Sequence, residues 1–414
     1  MKNVSQIKGR DIIIVGQQPW DISIGSNCKN IALEWSKYNR VLYVNSPLDR
    51  ITKYRDKSDP RIVKRIAVIQ GDVPNLIEVE DNLWNFYPDV IIESINWIKP
   101  QNIFEYFNKR NNRIFSTSIL KAIKELGFKN YILFNDNDIF RSFHLKSLLN
   151  PAVSIYYSRD YMLAVDYWKL HGLKLEPELI ADSDICVANS TYLADYCRKY
   201  NPNSFFVGQG CELDIFIKSE EYPKPLDMQL IKSPIIGYVG ALQSIRLDIN
   251  IIQYIASEKP EWSIVLVGPE DDEFKSSALH QLSNVHFLGS KDPSTLPAYI
   301  NVFDLCINPQ IVNQVTIGNY PRKIDEYLAV GKPIVATKTE AMRIFKDYCY
   351  LAESKYDFVK MIEEGITKNS LDMKKSRRHF ASTHTWENSV LEIDKAIKKW
   401  EVDKINLKSN SSLV

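Results

Sequence analysis

Three side chains late in the chain pose the first chemical question. Arg322 and Lys323 stand in the opening turn of PRKIDEYLAVGKPIVAT, and Glu326 follows one turn later. A helix amino end carries roughly half a positive charge, so a cation there costs about 0.3–1 kcal/mol unless something negative compensates it. Either Asp325 and Glu326 supply that charge locally or a ligand does. Helical side chains lean toward the helix start, which aims Glu326 back at the NH groups around Asn319 to Arg322. An anion on those groups and on Arg322 or Lys323 would lie beside a carboxylate able to accept two hydroxyl hydrogens. Phosphate next to polyol describes a nucleotide sugar. The alternative is an ordinary i, i+4 surface pair between Arg322 and Glu326.

The elements around these residues decide what they face. Pro321 near the first helical position, Gly331 past the last and Pro333 beyond it bound a short helix whose apolar stripe is Ile324, Tyr327 and Leu328. Before it come a strand, DLCINP, and a loop rich in Asn, Thr and Gly, so the loop lies at the carboxyl edge of a parallel sheet, where ligands gather. Each half of the chain opens with an apolar run ending in glycine, DIIIVG and PIIGYVG, the second closing on Gly240. Further strands are expected at VLYVNS, LWNFYP, YILFND, VSIYYS, DICVAN and SFFVG, then at SIVLVG, VHFLG, DLCINP and PIVAT. Helical stretches such as NCKNIALEWSK, STYLADYCRKY, LDINIIQYIAS and YDFVKMIEEGI separate them, the rhythm of a parallel sheet with crossover helices.

The whole composition fits that reading. At 414 residues the chain suits two domains, and 45% hydrophobic with 25% charged content is globular. A net charge of +1 argues against a large nucleic-acid footprint, with a local basic patch at Lys53 to Arg65. The six cysteines form no metal-ligand spacing and sit in apolar runs, as buried free thiols of a reducing compartment would. No apolar run reaches the eighteen or so residues needed to span a bilayer, and MKNVSQIKGRDIIIVG lacks a signal-peptide layout. A cytoplasmic protein is expected, with a peripheral contact at the inner membrane face left open.

GYVGAL, WSIVLVGP, VHFLGS, DLCINP and KIDEYLAVGKPIVAT together resemble the nucleotide-binding half of family 4 retaining glycosyltransferases, in the branch that builds bacterial surface polysaccharides. The resemblance implies an α/β fold of GT-B type, two doubly wound Rossmann-like domains facing a central cleft. It implies a nucleotide diphosphate sugar as donor, a glycan or lipid-linked acceptor, and a helix terminus with cations where other enzymes use a metal. EYLAVGKPIV matches the family's ribose-binding run at Glu326. The family's second glutamate, eight residues earlier, is replaced by Gly318, which leaves Asn313 and Thr316 as candidates for the sugar. The NH groups from Thr316 through Gly318 to Asn319 are candidates for phosphate or sugar oxygens, glycine allowing close approach. Where G-R-x-x-x-x-K is common, GALQSIRLD has Ala241 and Arg246, so Arg246 would contact the diphosphate. Asp248 is expected to start the following helix, a structural role.

In the first half, Gly25, Ser26 and Asn27 stand at a helix start, either as a phosphate- or acceptor-facing turn or as plain caps. Arg159 and Asp160 follow the strand VSIYYS, where Asp160 would orient an acceptor hydroxyl or take its proton, or serve a turn. FNDND carries two carboxylates but reads as a turn, not a metal site. His144 and His171 have no partner at ligand spacing and read as surface or packing residues. GQGCELDIF resembles the family's exit from the first domain, with Gln209 and Gly210 near the cleft.

The expected organisation is a Rossmann-like acceptor domain over 1–216, a linker over 217–233, a Rossmann-like nucleotide-sugar domain over 234–382, a helix over 383–402 that returns to the first domain, and a disordered tail over 403–414. The reaction expected is glycosyl transfer with retention, in which the helix start, Arg246, Arg322 and Lys323 stabilise the departing diphosphate. A sugar-nucleotide 2-epimerase and a non-catalytic nucleotide-sugar binder are the alternatives.

Overall fold

The computed structural model describes residues 6–22, 26–218 and 222–411, the side chains of 408–411 excepted. The chain divides into two units, one made of the residues up to Gly208 together with those from Trp386 onward, the other of Gln209–Thr385.

The first unit is built on an eight-stranded sheet in the spatial order Ser204–Phe206, Ile185–Ala188, Val153–Ser158, Ile132–Asp136, Asp11–Val15, Arg40–Val44, Leu83–Phe86 and Leu76–Glu80. Its central strands are buried along their whole length and mostly apolar because helices cover both faces, the requirement of a parallel sheet. Pairing is parallel throughout, with Asp11 opposite Arg40 and Ile132 opposite Val153, except at the Leu76–Glu80 edge, which runs antiparallel to Leu83–Phe86. Helix Asn27–Ser36 and the terminal helix Trp386–Ser411 share one face through Ile31, Trp35, Val390 and Ile393. The Gln101–Leu126 helix covers the other through Phe115 and Ile119. Asp394, on the terminal helix, accepts the Trp35 indole NH at 2.9 Å and the Ile7 amide at 3.0 Å, and burial pushes its carboxyl up to about 6.

The second unit has six parallel strands in the order Val285–Gly289, Ser263–Val267, Ile235–Val239, Leu305–Asn308, Ile334–Thr337 and Tyr350–Ala352. One face packs against helices Leu296–Val302 and Arg322–Val330, the other against Ile249–Glu258 and Lys355–Thr367. Asp248 caps Ile249–Glu258 by accepting from Asn250 and Ile251 at 2.9 and 3.3 Å, the structural role expected of it.

Three boundaries differ from the sequence reading. The division falls at Gly208, not at 216, because Cys211, Leu213 and Phe216 are buried in the second core. The 217–233 stretch is not a free linker where it is described, since Met228 is fully enclosed in that same core. The 403–414 tail is helical as far as Ser411. Once the preceding turns are nucleated by packing, each further residue costs little to add, and Lys404 lies over the Trp400 ring at 4.2 Å.

Candidate functional site

The carboxyl edge of the second sheet collects most of the side chains singled out from the sequence. Strand Ile235–Val239 ends at Gly240, whose φ of 139° lies in a region that side-chain-bearing residues rarely adopt. A Cβ there would approach the Lys323 ammonium to 2.9 Å, and one on Gly268 would stand 2.0 Å from the Gly240 carbonyl. Two strand ends and a helix start therefore meet closer than side chains permit.

Helix Arg322–Val330 is fixed from below. The Tyr327 hydroxyl accepts the Val239 amide at 2.8 Å, which ties the helix to the strand end. Asp325 is fully buried; Nδ1 of His384 lies 2.6 Å from one of its oxygens and the Cys211 thiol donates to the other at 3.3 Å. The Tyr320 hydroxyl lies 3.1 Å from the same histidine nitrogen. Lys323 bonds the Tyr238 hydroxyl, with its ammonium 4.0 Å from that ring's centroid. Sequence reasoning did not single out His384: Asp325 lies 59 positions away, and no spacing signal spans such a gap.

Three charged groups of this edge stay open. Arg322 and Arg246 are exposed, and among the described residues neither guanidinium has a hydrogen-bond or ion-pair partner. Glu326 is partly exposed and likewise has none, so the i, i+4 surface pair with Arg322 is not formed. Desolvation raises its carboxyl above the usual range, with Arg322 and Lys323 pulling the other way. Arg246 is held by its backbone: its carbonyl accepts the Ile311 amide at 2.9 Å, and the neighbouring Ile245 carbonyl accepts the Asn313 side chain at 2.9 Å. The loop that leads into the helix and the loop that carries Arg246 are thus one joined structure.

That joining corrects the roles given to the loop. Asn313 and Thr316 do not present free groups to a sugar. The Asn313 carbonyl oxygen of the side chain accepts the Val315 and Thr316 amides at 2.9 and 3.0 Å, and the buried Thr316 hydroxyl bonds the Ile311 carbonyl. The amides of Ile317 and Asn319 are also spent on the loop's own turn, on Asn313 and Thr316 carbonyls at 2.9 and 3.2 Å. Gly318 is buried within that turn, and the Asn319 side chain is half-buried. The physical reason is local: a loop this rich in Asn and Thr satisfies its own backbone first.

The first sheet's carboxyl edge is of another kind. Arg159 donates to Asp136 at 2.8 Å, to Asp160 at 2.7 Å and to the Gln17 side chain at 3.1 Å, while the Gln17 amide donates to Asp136 at 3.2 Å. Asn137 accepts the Arg159 and Asp160 amides at 2.8 and 3.1 Å. Asp160 is therefore an ion-pair partner in a closed network. Asp138 accepts the Phe140 and Arg141 amides, the turn role expected of FNDND. Gly25 lies outside the described residues. Ser26 precedes helix Asn27–Ser36 but its side chain makes no cap, and Asn27 donates to the Tyr157 hydroxyl at 3.3 Å. His171 is buried against Phe104, with ring centroids 3.6 Å apart, a packing role. Among the described residues no three or more His, Cys, Asp or Glu side chains gather where a metal could be held.

Comparison with solved structures fits this architecture. Sucrose-phosphate synthase from Thermosynechococcus elongatus superposes with a TM-score of 0.64 at 13% identity, over 95% of this chain and 100% of that one. The Anabaena protein HepE, solved in complex with UDP, gives 0.63 at 13% identity over 94% and 100%. The fold is GT-B. Residues 233–364 of this GT-B chain match the family model described as Glycosyl transferases group 1. TuaH of Bacillus subtilis (strain 168), named as a teichuronic acid biosynthesis glycosyltransferase, is 28% identical over 187 residues, 44% of this chain and 47% of that protein. The match spans about half the length of that relative.

Proposed function

We propose that this protein is a retaining glycosyltransferase of family 4 that moves a sugar from a nucleotide diphosphate sugar to a glycan or lipid-linked acceptor in surface polysaccharide synthesis. The observation that carries the reading is the open charge at the second sheet's edge: Arg246, Arg322 and Glu326 without a hydrogen-bond or ion-pair partner among the described residues, beside a helix start. Exposed cations at a helix amino end are an electrostatic cost in the free protein and become an asset when a diphosphate arrives. Glu326 then accepts ribose hydroxyls, Arg322 and Arg246 hold phosphate oxygens, and Gly240 lets the donor approach the backbone. HepE, the structural neighbour, is described in complexes with UDP and with UDP-glucose, and TuaH is named for teichuronic acid biosynthesis; both support the reading.

In the reaction, the bond from the anomeric carbon to the donor phosphate breaks and its electron pair stays on the diphosphate. The acceptor hydroxyl oxygen bonds that carbon on the same face, and its proton passes to the leaving phosphate. Charge grows on the diphosphate as the bond breaks, so Arg246 and Arg322 bind the transition state more tightly than the ground state. No metal is called for by this scheme, and Asp160, held by Arg159, is not assigned as the base.

Titration calorimetry with a panel of nucleoside diphosphates, followed by product analysis with free and lipid-linked acceptors, tests it. Binding with acceptor-dependent release of a product of retained configuration is expected. Gly318, where the family carries a glutamate, is the feature that favours a binder without turnover, which would bind and release nothing; a 2-epimerase would convert the donor with no acceptor present.

A further inference from the structure

The chain passes between its two units twice, after Gly208 and before Trp386. Each unit ties the two crossing segments to one another. In the second unit the Cys211 amide donates to the His384 carbonyl at 3.0 Å, and in the first the Ser389 hydroxyl donates to the Gly208 carbonyl at 3.4 Å. Cys211, just past one crossing, and His384, just before the other, also turn their side chains onto a single group. That group is the Asp325 carboxylate, one oxygen 2.6 Å from Nδ1 of His384 and the other accepting from the Cys211 thiol at 3.3 Å. The His384 ring is held edge-on to Phe380, with centroids 4.5 Å apart.

Asp325 is fully buried, on the inner side of the helix turn whose outer side carries Arg322 and Glu326. A carboxylate is costly to enclose, and apolar groups of similar shape would join the same segments at lower cost. Stability alone is therefore a poor account of an acid at this place. What the acid adds is direction. Its two oxygens accept along defined lines, so the turn cannot rotate while both partners stay put. The rest of the turn is fixed to a strand end by Lys323 on Tyr238 and by Tyr327 on Val239. Cys211 supplies a reporter of the clamp. Burial first, and then the Asp325 charge, push its thiol well above the usual range, so it reacts only when the clamp opens.

We propose that Asp325 is a positioning residue: clamped by Cys211 and His384, it couples the diphosphate end of helix Arg322–Val330 to both chain crossings. A nucleotide on Arg322 holds the clamp shut, and an open clamp lets the nucleotide go. The coupling rests on the donor reading of that helix end; the clamp itself does not.

The full chain is treated with N-ethylmaleimide with and without UDP, and modification is followed thiol by thiol in the mass spectrometer. Saturating UDP slows Cys211 by about fivefold or more and leaves Cys306 and Cys349, buried in the same unit, unchanged. Asp325→Asn, close in shape, loosens the clamp. Without nucleotide Cys211 then reacts faster while Cys306 and Cys349 do not, UDP no longer protects it, and by reciprocity UDP binds about fivefold or more weaker. Charge alone predicts the opposite sign, since removing a negative group beside an anion site tightens UDP. The wild-type comparison needs no variant, so a misfolded Asp325→Asn leaves the test intact. UDP that slows all three thiols alike is ordinary stabilisation by a ligand, UDP that binds with Cys211 unprotected shows no coupling, and tighter UDP binding by Asp325→Asn makes Asp325 a bystander charge; each overturns the proposal. Failure to bind UDP or any other nucleoside diphosphate sinks the donor reading and the coupling together. Calorimetry distinguishes that case, as does the nucleotide-free rise at Cys211, which the clamp predicts regardless.

Discussion

The two carboxyl edges carry similar residues and treat them oppositely. At the first, Arg159 is shared among Asp136, Asp160 and Gln17, and the network continues through Asn137 and the Tyr156 hydroxyl to buried Glu176. At the second, Arg246, Arg322 and Glu326 have no hydrogen-bond or ion-pair partner among the described residues. A closed network holds a scaffold together, because any charge left unpaired inside it is expensive. An open set at a strand edge is stabilised only when something binds. Location at a sheet's carboxyl edge is therefore not enough to nominate a side chain; whether its hydrogen bonds are already satisfied discriminates further.

The contrast is broken most severely by Asp136→Ala. Asp136 is fully buried beside Arg159, so its removal leaves a largely buried guanidinium with only the part-exposed Asp160 as counter-charge and is expected to cost about 3 kcal/mol in a urea melt, the low end for a broken buried pair. A loss under about 1 kcal/mol would show that the first edge is not the closed network described.

Glu176→Gln sharpens the same edge through pH. Burial pushes the Glu176 carboxyl up to about 7 from an ordinary 4.5, against the Tyr156 and Tyr196 hydroxyls that donate to it at 2.7 and 3.1 Å. Between those two values the folded chain keeps a proton that the unfolded chain has released. Its contribution is therefore complete below pH 4.5, falls as pH rises, and is gone above about 7, a change of about 3 kcal/mol. The glutamine variant is expected to lose this slope, read as the midpoint of denaturation from pH 4 to 8; an unchanged slope would remove Glu176 as its source.

At the open edge the order of effects reverses, with binding lost and stability kept. Arg322→Ala is expected to weaken nucleoside diphosphate binding by about 1.5–3 kcal/mol, roughly tenfold to a hundredfold, with stability within about 0.5 kcal/mol of the parent. Glu326→Gln and Arg246→Ala should follow the same pattern more weakly. A collapse in thermal stability with unchanged affinity of the folded fraction would make these structural residues after all. Smallest of all, Asn313→Ala should cost about 1–2 kcal/mol of stability by releasing the Ile245 carbonyl and two loop amides, and should reduce nucleotide affinity only through that disorder.

The strands were legible because a sheet buried on both faces writes itself as continuous apolar runs such as DIIIV and SIVLV. Helix Gln101–Leu126 was not, since NKRNNR reads as polar loop; its buried Asn108 and Asn112 are satisfied by the Phe140 carbonyl at 3.0 and 2.9 Å, a partner remote in sequence. The same limit governed the candidate site. Arg246, Arg322 and Glu326 could be singled out because a charge out of place on a helix, or in a motif, is visible locally. Asn313 and Thr316 were misread because loop hydrogen bonds are not written in residue types, and the Asp325–His384 pair was invisible across 59 positions.

The buried Asp394 bears on how this chain comes to exist. Trp35 and Ile7 find their acceptor on a helix made after the entire second unit has been synthesised. A nascent chain that has emerged only as far as Gly208 has helix Asn27–Ser36 but not the terminal helix on that face of its sheet, so part of the face stays uncovered while Gln209–Thr385 is being translated. Assembly of the first-made half is completed only by the last-made segment, and a ribosome stall between Gly208 and Trp386 would leave that half with part of its apolar face in water.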